Sequence, residues 1–322
     1  MILNDDAKPY IQVQAANPIL ERNSGTPDTL RFPIRLVDSN GLPLTAASAL
    51  DVTYTWSTVD SAGVNGASST DNDFVAQRSV PRTIKAGVLY DTLKVAVVPD
   101  TKFENHESFR VVLANITGAD SATHAVTTAL GTIRNDDDKP KVSAVDDSVK
   151  EPANVTDADS TLTFAVKLDG PSGLSITVNY QTEGISAQPD AGAVKYDYAD
   201  TAGTLTFAPG ETSKTVSVKV HGDNIYEGSA PETVRLKLSG VNANATIGRD
   251  TAIGSILDND AAPILHVDTV TVSEGGTANF TISLIDKNGN PTLSGLPVTA
   301  TWQTANGTAV AGYDYAGHAA TS

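Results

Sequence analysis

Apolar and polar residues alternate along most of this chain, in short runs separated by glycine, asparagine, aspartate and proline. Leu30, Phe32, Ile34 and Leu36 form one such run, with polar or small neighbours between them. Alternation with a period of two puts the apolar side chains of a run on one face, which is typical of a β-strand with one buried face. No run has the spacing of an amphipathic helix. The pattern therefore predicts an all-β chain built of antiparallel sheets.

The runs predict seven strands, A to G, in the second third of the chain. They lie at residues 141–149, 161–168, 175–182, 203–207, 212–220, 233–239 and 252–257. The residues before them show the same order, with strand C at 51–58 and strand E at 91–98. Two facing sheets bury the apolar faces of such short strands most simply, so we expect immunoglobulin-like antiparallel β-sandwiches in tandem.

A short motif divides the chain into repeats. It reads ILNDDAKP at residues 2–9, IRNDDDKP at 133–140 and ILDNDAAP at 256–263, so the copies are about one domain length apart. We interpret each copy as the end of one domain and the hinge to the next. The predicted parts are residues 1–8, the last strand of a preceding repeat; 9–138, unit one; 139–261, unit two; and 262–322, unit three, the N-terminal half of a third domain.

Unit three shows strand A, strand B at 278–285 and strand C at 298–304, and then the sequence ends. Half a sandwich has an open edge and half a core, so we expect unit three to fold poorly by itself. Trp56 and Trp302 both occupy a C-strand position. We expect both rings to pack between sheets rather than to line a sugar-binding cleft.

The composition excludes several classes of partner. The chain has 22 Lys and Arg against 38 Asp and Glu, a formal net charge of -16, and no cysteine. Such an acidic surface repels phosphate backbones and anionic lipid, which argues against nucleic acid or a membrane surface. The apolar runs are too short for direct membrane insertion, and the lack of cysteine excludes disulfides and thiolate metal sites. Met1 leads directly into the first motif, so we expect a piece of a longer protein.

The acidic residues concentrate in the odd connections, after strands A, C, E and G. In an alternating strand order these connections emerge at the same pole of a domain. In unit two they carry Glu151, Asp190, Asp197, Asp223, Glu227, Glu232, Asp258 and Asp260. In unit one they carry Glu21, Asp71, Asp73, Asp100, Glu104, Glu107, Asp136 and Asp137.

Carboxylates gathered at one pole repel each other unless a cation lies among them. Calcium accepts six to eight oxygen ligands in irregular geometry, whereas magnesium requires a tighter octahedron. The histidines form no spaced set and cysteine is absent, which disfavours zinc and copper. The alternative is that these are solvated turn residues, as Asp and Asn commonly are. We favour calcium because the acidic clusters recur in both units.

Longer motifs carry a family resemblance. Unit two contains YDY at 196–198, GTLTFAPGET at 203–212, GDNIYE at 222–227 and GSILDND at 254–260, and unit three contains VSEG at 272–275 and GTAVAGYDY at 307–315. This ordered set resembles the Calx-beta family, the β-sandwich modules of sodium/calcium exchangers, integrin beta-4 and bacterial surface proteins, over essentially the whole chain. The resemblance implies calcium ligands at Glu21, Asp73, Asp100, Glu104, Glu107, Asp136, Asp137, Glu151, Asp197, Asp223, Glu227, Glu232, Asp258 and Asp260.

The sequence contains neither a nucleophile elbow nor a phosphate-binding glycine loop, and we expect no enzyme. We expect calcium-binding spacer modules of a large adhesin-like protein, extracellular or on a bacterial cell surface. Its expected partners are calcium ions, neighbouring repeats of the same chain, and a surface protein or glycan. Two alternatives stay open: a module that recognises glycan or protein, and the calcium sensor of a membrane transporter.

Overall fold

The computed structural model describes residues 7–44, 50–63, 65–120, 125–191 and 196–320. Within these ranges every assigned element is a β-strand. The predicted all-β fold is therefore confirmed. Across the same ranges, no helix is long and apolar enough to cross a membrane. Most of the predicted strand at residues 1–8 lies outside the described residues.

Unit one is a sandwich of two sheets. Its strands are β1 (Tyr10–Val13), β2 (Ile19–Leu20), β3 (Thr29–Val37), β4 (Val52–Val59), β5 (Val80–Ile84), β6 (Tyr90–Ala96), β7 (Glu107–Thr117) and β8 (Thr128–Arg134). One sheet has the order β1-β3-β6 and the other the order β2-β8-β7-β4-β5. The predicted strands C and E of this unit correspond to β4 and β6.

Unit two repeats this sandwich. Its strands are β9 (Lys141–Ala144), β10 (Asp147–Lys150), β11 (Ser160–Leu168), β12 (Ile176–Gly184), β13 (Ala202–Phe207), β14 (Ser213–Val220), β15 (Ile225–Tyr226), β16 (Glu232–Ser239), β17 (Thr246–Arg249) and β18 (Thr251–Leu257). The sheets have the orders β14-β11-β9-β17 and β10-β18-β16-β12-β13. The predicted strands B to G correspond to β11, β12, β13, β14, β16 and β18, within about two residues at each end.

Strand A is where the prediction was wrong. It was expected as one strand over residues 141–149, but β9 pairs with β11 in one sheet and β10 pairs with β18 in the other. Asp146 lies between the two halves, where its Oδ1 accepts hydrogen bonds from the Ile253 backbone N–H at 2.7 Å and from Arg249 at 2.6 Å. These bonds hold the chain at the point where it crosses between the sheets. The second half runs parallel to the last strand in both units, as β2 with β8 and β10 with β18.

The inward faces of the sheets form two separate cores. The core of unit one extends in sequence from Ile11 to Ile133, and that of unit two from Val142 to Ile256. In unit one, Phe109 stacks on Phe74 with 4.1 Å between ring centroids. A fully buried side chain of this size contributes about 1.5–3 kcal/mol to stability. Trp56 is 5% exposed and belongs to this core, as predicted.

Unit three has strands but no buried core. Its strands β19 (Ile264–Val267) and β20 (Ile282–Ile285) pair with each other, and β21 (Leu293–Ser294) pairs with β15 of unit two. No described residue after 257 is buried. The predicted strand C at 298–304 is not formed: within this range only Trp302 is in a β-bridge, and no strand is assigned. Trp302 was expected in a core, but it is 45% exposed and packs on His318, because no second sheet covers it.

A local turn nevertheless recurs between unit one and unit three. Oδ1 of Asp38 accepts the N–H groups of Asn40 and Leu42, both within 3.0 Å. Oδ1 of Asp286 accepts the equivalent N–H groups of Asn288 and Asn290 at 2.8 Å. This turn is specified locally, because the aspartate side chain bonds to its own following backbone. It therefore forms even where the surrounding sandwich is incomplete.

Gly254 tests how tightly the sheets of unit two approach. A β-carbon at this position would lie 2.6 Å from Cζ of Phe164 and 3.0 Å from Cγ1 of Val234. We expect Gly254→Ala to lower the free energy of unfolding of unit two by about 1–3 kcal/mol, the usual cost of overpacking. Ser255→Ala, one residue along on the opposite face of β18, should change it by less than about 0.5 kcal/mol. Urea denaturation of the full chain measures both, and equal effects would contradict the close approach.

Candidate metal centre

The parallel pairing of strands A and G places the first acid of each unit beside the last ones. The N–H of Glu21 donates to Arg134 O at 3.0 Å, and the N–H of Glu151 donates to Leu257 O at 3.2 Å. Each glutamate therefore follows a strand that ends at the same edge as the last strand of its unit. The acids after that last strand, at 136–137 and at 258–260, begin within three residues of this edge.

The connection between strands E and F supplies the next acids and is fixed by repeated hydrogen bonds. Asp100 accepts the N–H of Lys102 and Asp223 accepts the N–H of Ile225, both at 2.7 Å. These bonds turn the loop sharply after its first acid. We call the loops at 99–106 and 221–231 the E–F loops.

Each E–F loop is also bonded to the segment after strand G. In unit one, Asn135 Oδ1 accepts the N–H of Glu104 at 3.1 Å. In unit two, Asp258 Oδ2 accepts the N–H groups of Glu227 and Gly228 at 2.8 and 2.9 Å. Asn135 and Asp258 occupy the same position of the repeated motif. In both units this position therefore binds the backbone N–H of the second acid of the E–F loop.

The connection between strands C and D contributes one acid per unit, and the next residue anchors it in the core. Asp73 precedes Phe74 and Asp197 precedes Tyr198, and both aromatic side chains are at most 2% exposed. Asp73 Oδ2 accepts the N–H of Ser68 at 2.6 Å, and Asp197 Oδ2 accepts the N–H of Gln188 at 2.5 Å. The buried ring and this bond direct each carboxylate to the pole.

Together these elements form four groups of three carboxylates, two groups per unit. In each group, one oxygen from every residue lies within 4.8 Å of the others. Two oxygens bound to one calcium ion can be at most about 5 Å apart, since each Ca–O distance is about 2.3–2.6 Å. The groups are Glu21, Asp100 and Asp137; Asp73, Glu104 and Glu107; Glu151, Asp258 and Asp260; and Asp197, Glu227 and Glu232.

Two of the fourteen predicted ligands fall outside these groups. Asp136 instead accepts the N–H of Arg22 at 3.0 Å through Oδ1. Asp223 lies close enough to both groups of unit two to raise the pKa of Glu151 and of Glu227 by charge repulsion. Whether these two residues contact an ion stays a prediction, as does the ligand role of the other twelve.

Burial and mutual repulsion disfavour the ionised forms in unit one. Burial, with the charge and hydrogen bond of Asp100, raises the pKa of Glu21 to about 9. Burial and the neighbouring Asp73 raise the pKa of Glu107 to about 9. Burial also raises the pKa of Glu104, although Lys102 opposes this shift. These carboxylates ionise at neutral pH only at a cost in free energy, which a bound cation would remove.

Unit two shows the same electrostatics. Burial raises the pKa of Glu151 and of Glu232 to about 8, with added repulsion from Asp223 on the first and from Asp197 on the second. Burial and the charge of Asp197 raise the pKa of Glu227 to about 7. The two groups of a unit influence each other, because Glu151 also raises the pKa of Glu232.

Buried oxygens without partners support a cation at this pole. Oδ2 of Asp137, Oδ2 of Asp260 and Oε2 of Glu232 are fully buried and have no hydrogen-bond partner among the described residues. An isolated buried carboxylate oxygen is costly, and proteins pair such groups with hydrogen bonds or metal ions. Because all members of the groups are carboxylates, the donor set fits a hard cation such as calcium.

Sequence reasoning missed Lys102, whose ammonium contacts one of these groups. Nζ lies 2.6 Å from Glu104 Oε1 and 3.0 Å from Asp71 Oδ2. Burial lowers the pKa of Lys102, but the bonds to Glu104 and Asp71 outweigh burial and keep it above the ordinary value. The sequence did contain a signal for Lys102: a positively charged residue lies between two predicted ligands of an acidic loop. At the equivalent position unit two has the uncharged Ile225.

The Calx-beta domain family model matches residues 49–138, 135–262 and 258–321. The chain belongs to the Calx-beta domain family. The three tandem matches confirm the resemblance and the β-sandwich fold. The comparison with curated proteins finds no match.

Solved structures with similarity to this Calx-beta chain include three from CALX proteins. CBD12 from CALX1.2 is 16% identical, with 77% of this chain and 99% of that chain covered and a TM-score of 0.30. The calcium binding domain CBD12 of CALX1.1 is also 16% identical over the same shares, with a TM-score of 0.31. The apo-form CBD1 domain of Calx is 19% identical, with 38% and 100% covered and a TM-score of 0.30.

Replacing one acid of unit two tests the group that it belongs to. We expect Glu232→Gln to weaken calcium binding by unit two at least about tenfold, since it removes a charged oxygen from the group. In chelator the same variant should melt no lower than the unmodified chain, because an amide replaces a carboxyl whose ionised form is opposed by burial and by Asp197. Calorimetric calcium titration and thermal melts measure the two effects.

Asp250→Asn is the matched control for this variant. Asp250 is exposed in the turn between β17 and β18, away from the acidic groups. The substitution replaces a carboxylate by an amide, as Glu232→Gln does, and should leave calcium affinity unchanged. An equal loss of affinity in both variants would mean that net charge, and not the group, determines binding.

Proposed function

We propose that this chain is a series of calcium-binding spacer modules from a large, adhesin-like bacterial protein that is secreted or displayed on the cell surface. The modules have no catalytic role in this proposal. The observation that carries it is the recurrence of two carboxylate groups at the same pole of each complete unit. A solvated turn would leave these oxygens exposed, whereas Glu21, Asp73, Glu104 and Glu151 are each at most 7% exposed.

Calcium is the cation that suits this pole best. Its ligands are carboxylate and carbonyl oxygens in flexible geometry, and it accepts more of them than magnesium does. Calcium modules outside cells commonly bind with a Kd of about 10⁻⁴–10⁻³ M, so sites of moderate affinity would be filled there. This consideration supports a location outside the cell, and the acidic composition suits a chain that binds cations.

The mechanical part of the proposal rests on where the E–F loop of unit one leads. Phe103, one residue before Glu104, forms a β-bridge with Ser172 of unit two. Its N–H donates to Pro171 O at 3.2 Å, and its carbonyl accepts the N–H of Gly173 at 3.0 Å. The loop that carries Asp100 and Glu104 therefore also holds the next unit.

The E–F loop of unit two makes the same kind of contact with unit three. Ile225 and Tyr226 pair with Leu293 and Ser294, and the carbonyl of Tyr226 accepts the N–H of Gly295 at 2.9 Å. In unit two the partner is the connection between strands B and C (β11 and β12), and in unit three it is the equivalent segment after β20. A recurring contact of this kind indicates a joint between neighbours rather than an accidental one.

A glycine of the following unit lies directly against a predicted ligand at each joint. A β-carbon at Gly173 would lie 2.9 Å from Cγ of Glu104, and one at Gly295 would lie 3.4 Å from Cγ of Glu227. An ion that fixes these glutamates would fix the surface on which the next unit rests. Calcium would thus restrict bending between neighbouring units and make the series a stiff spacer.

Removal of calcium tests the whole proposal. A site filled at a hundredfold excess over its Kd stabilises the folded state by about 2.7 kcal/mol. For units of this size, that corresponds to a melting temperature higher by about 10 °C. We expect chelator to lower the melting temperature by at least this amount and to broaden the distribution of distances between the units, as measured by small-angle X-ray scattering. Unchanged melting and scattering curves would remove calcium from the account.

A substitution in unit two tests whether the joint and the acids of unit one are coupled. We expect Gly173→Ala to displace the Glu104 carboxylate and to weaken calcium binding by unit one, although the change lies in the next unit. Gly170→Ala is the matched control, since a β-carbon there meets nothing within 4 Å. Calcium titration of the full chain compares the two variants. If the Gly173→Ala chain binds calcium as tightly as the Gly170→Ala chain, the joint and the acids of unit one are not coupled. The proposal that unit one binds calcium would be unaffected by that result.

A further inference from the structure

The ammonium of Lys102 lies among carboxylates that the proposed function assigns to calcium. Its Nζ bonds to Glu104 Oε1 at 2.6 Å and to Asp71 Oδ2 at 3.0 Å, and its side chain is only 17% exposed. Its charge also acts on the other two members of the group, since it lowers the pKa of Asp73 and of Glu107 against the effect of burial. Lys102 is thus a cation of the protein itself, bonded to one acid of the group and acting on the other two through its charge.

The equivalent position in unit two carries no charge. Lys102 and Ile225 each stand two residues after the first acid of their E–F loop, and each donates its N–H to that acid at 2.7 Å. The same backbone hydrogen bond therefore forms at both positions, whereas the side chains differ in charge. In the described part of unit two, lysine and arginine side chains pair instead with acids outside the two groups, namely Asp146, Asp159, Glu183 and Glu211.

We propose that Lys102 competes with calcium for the group of Asp73, Glu104 and Glu107 and so sets the calcium affinity of unit one. This inference rests on the proposed function. An ion that binds there must separate the ammonium from Glu104 and then tolerate a positive charge close by. Charge-assisted hydrogen bonds of this kind are strong enough to change an affinity about tenfold or more.

The same side chain has the opposite effect when calcium is absent. The ammonium offsets the mutual repulsion of the carboxylates, so it stabilises the metal-free form of unit one. Removing its charge should therefore destabilise the protein in chelator and tighten calcium binding. A residue with only a packing role would not produce these two opposite changes.

The experiment uses the full chain with Glu151, Glu227 and Glu232 replaced by Gln, so that calcium titration reports on unit one. In this background, we expect Lys102→Met, which keeps the length of the side chain and removes the charge, to bind calcium about tenfold more tightly. Lys102→Arg keeps the charge and should keep the original affinity. Thermal melts in chelator should show a lower melting temperature for Lys102→Met than for Lys102→Arg.

Lys85→Met is the matched control. Lys85 belongs to the same unit but lies in the connection after β5, not at the acidic pole, and pairs with Asp51 at 2.8 Å. The substitution Lys85→Met removes the same charge as Lys102→Met and should leave calcium affinity unchanged. If Lys102→Met binds calcium no more tightly than the parent, or no more tightly than Lys85→Met, the inference is overturned while the proposed function stands. If the unmodified chain binds no calcium at all, both fail.

Discussion

The structure depends on a conflict between burial and charge at one pole of each unit. Folding the two sheets together buries the ends of strands A, C, E and G, and the residues that follow those strands are acidic. Glu21 and Glu151, at most 7% exposed, show the cost most clearly, because burial raises the pKa of both. The apolar cores therefore stabilise an arrangement that its own carboxylates oppose, and a bound cation would resolve this conflict.

The same pole is the place where one unit meets the next. Each E–F loop carries acids on one side and forms a short β-pairing with the following unit on the other, through Phe103 in unit one and Tyr226 in unit two. Ion binding and the geometry of the joint thus share a backbone segment only a few residues long. In this account Lys102 adjusts the calcium affinity of unit one alone. It supplies a fixed positive charge at a position where unit two has Ile225.

Much of the fold could be predicted because period-two alternation reports directly which face of a strand is buried. The strands from 161 to 257 needed nothing more. The crossing of strand A at Asp146 could not be predicted, since it depends on bonds to residues about a hundred positions away. Trp302 was misplaced for a related reason: its position in a strand pattern does not tell whether a second sheet is present to cover it.

For the site, the strand order predicted which loops meet, and the structure brings twelve of the fourteen acids into four compact groups. The division into groups was not predictable, since it depends on side-chain geometry. The contact of Gly173 with Glu104 was also beyond the sequence, because it joins two units. Lys102 could have been noticed as the one positively charged residue in an acidic loop. The direction of its side chain, toward Glu104, could not have been predicted.

The most direct test is a crystal structure of the chain grown in saturating calcium, with anomalous diffraction used to identify the ions. The account predicts an ion in each of the two units, with Asp and Glu oxygens at about 2.3–2.6 Å. Density at these groups that is explained by water alone would contradict it.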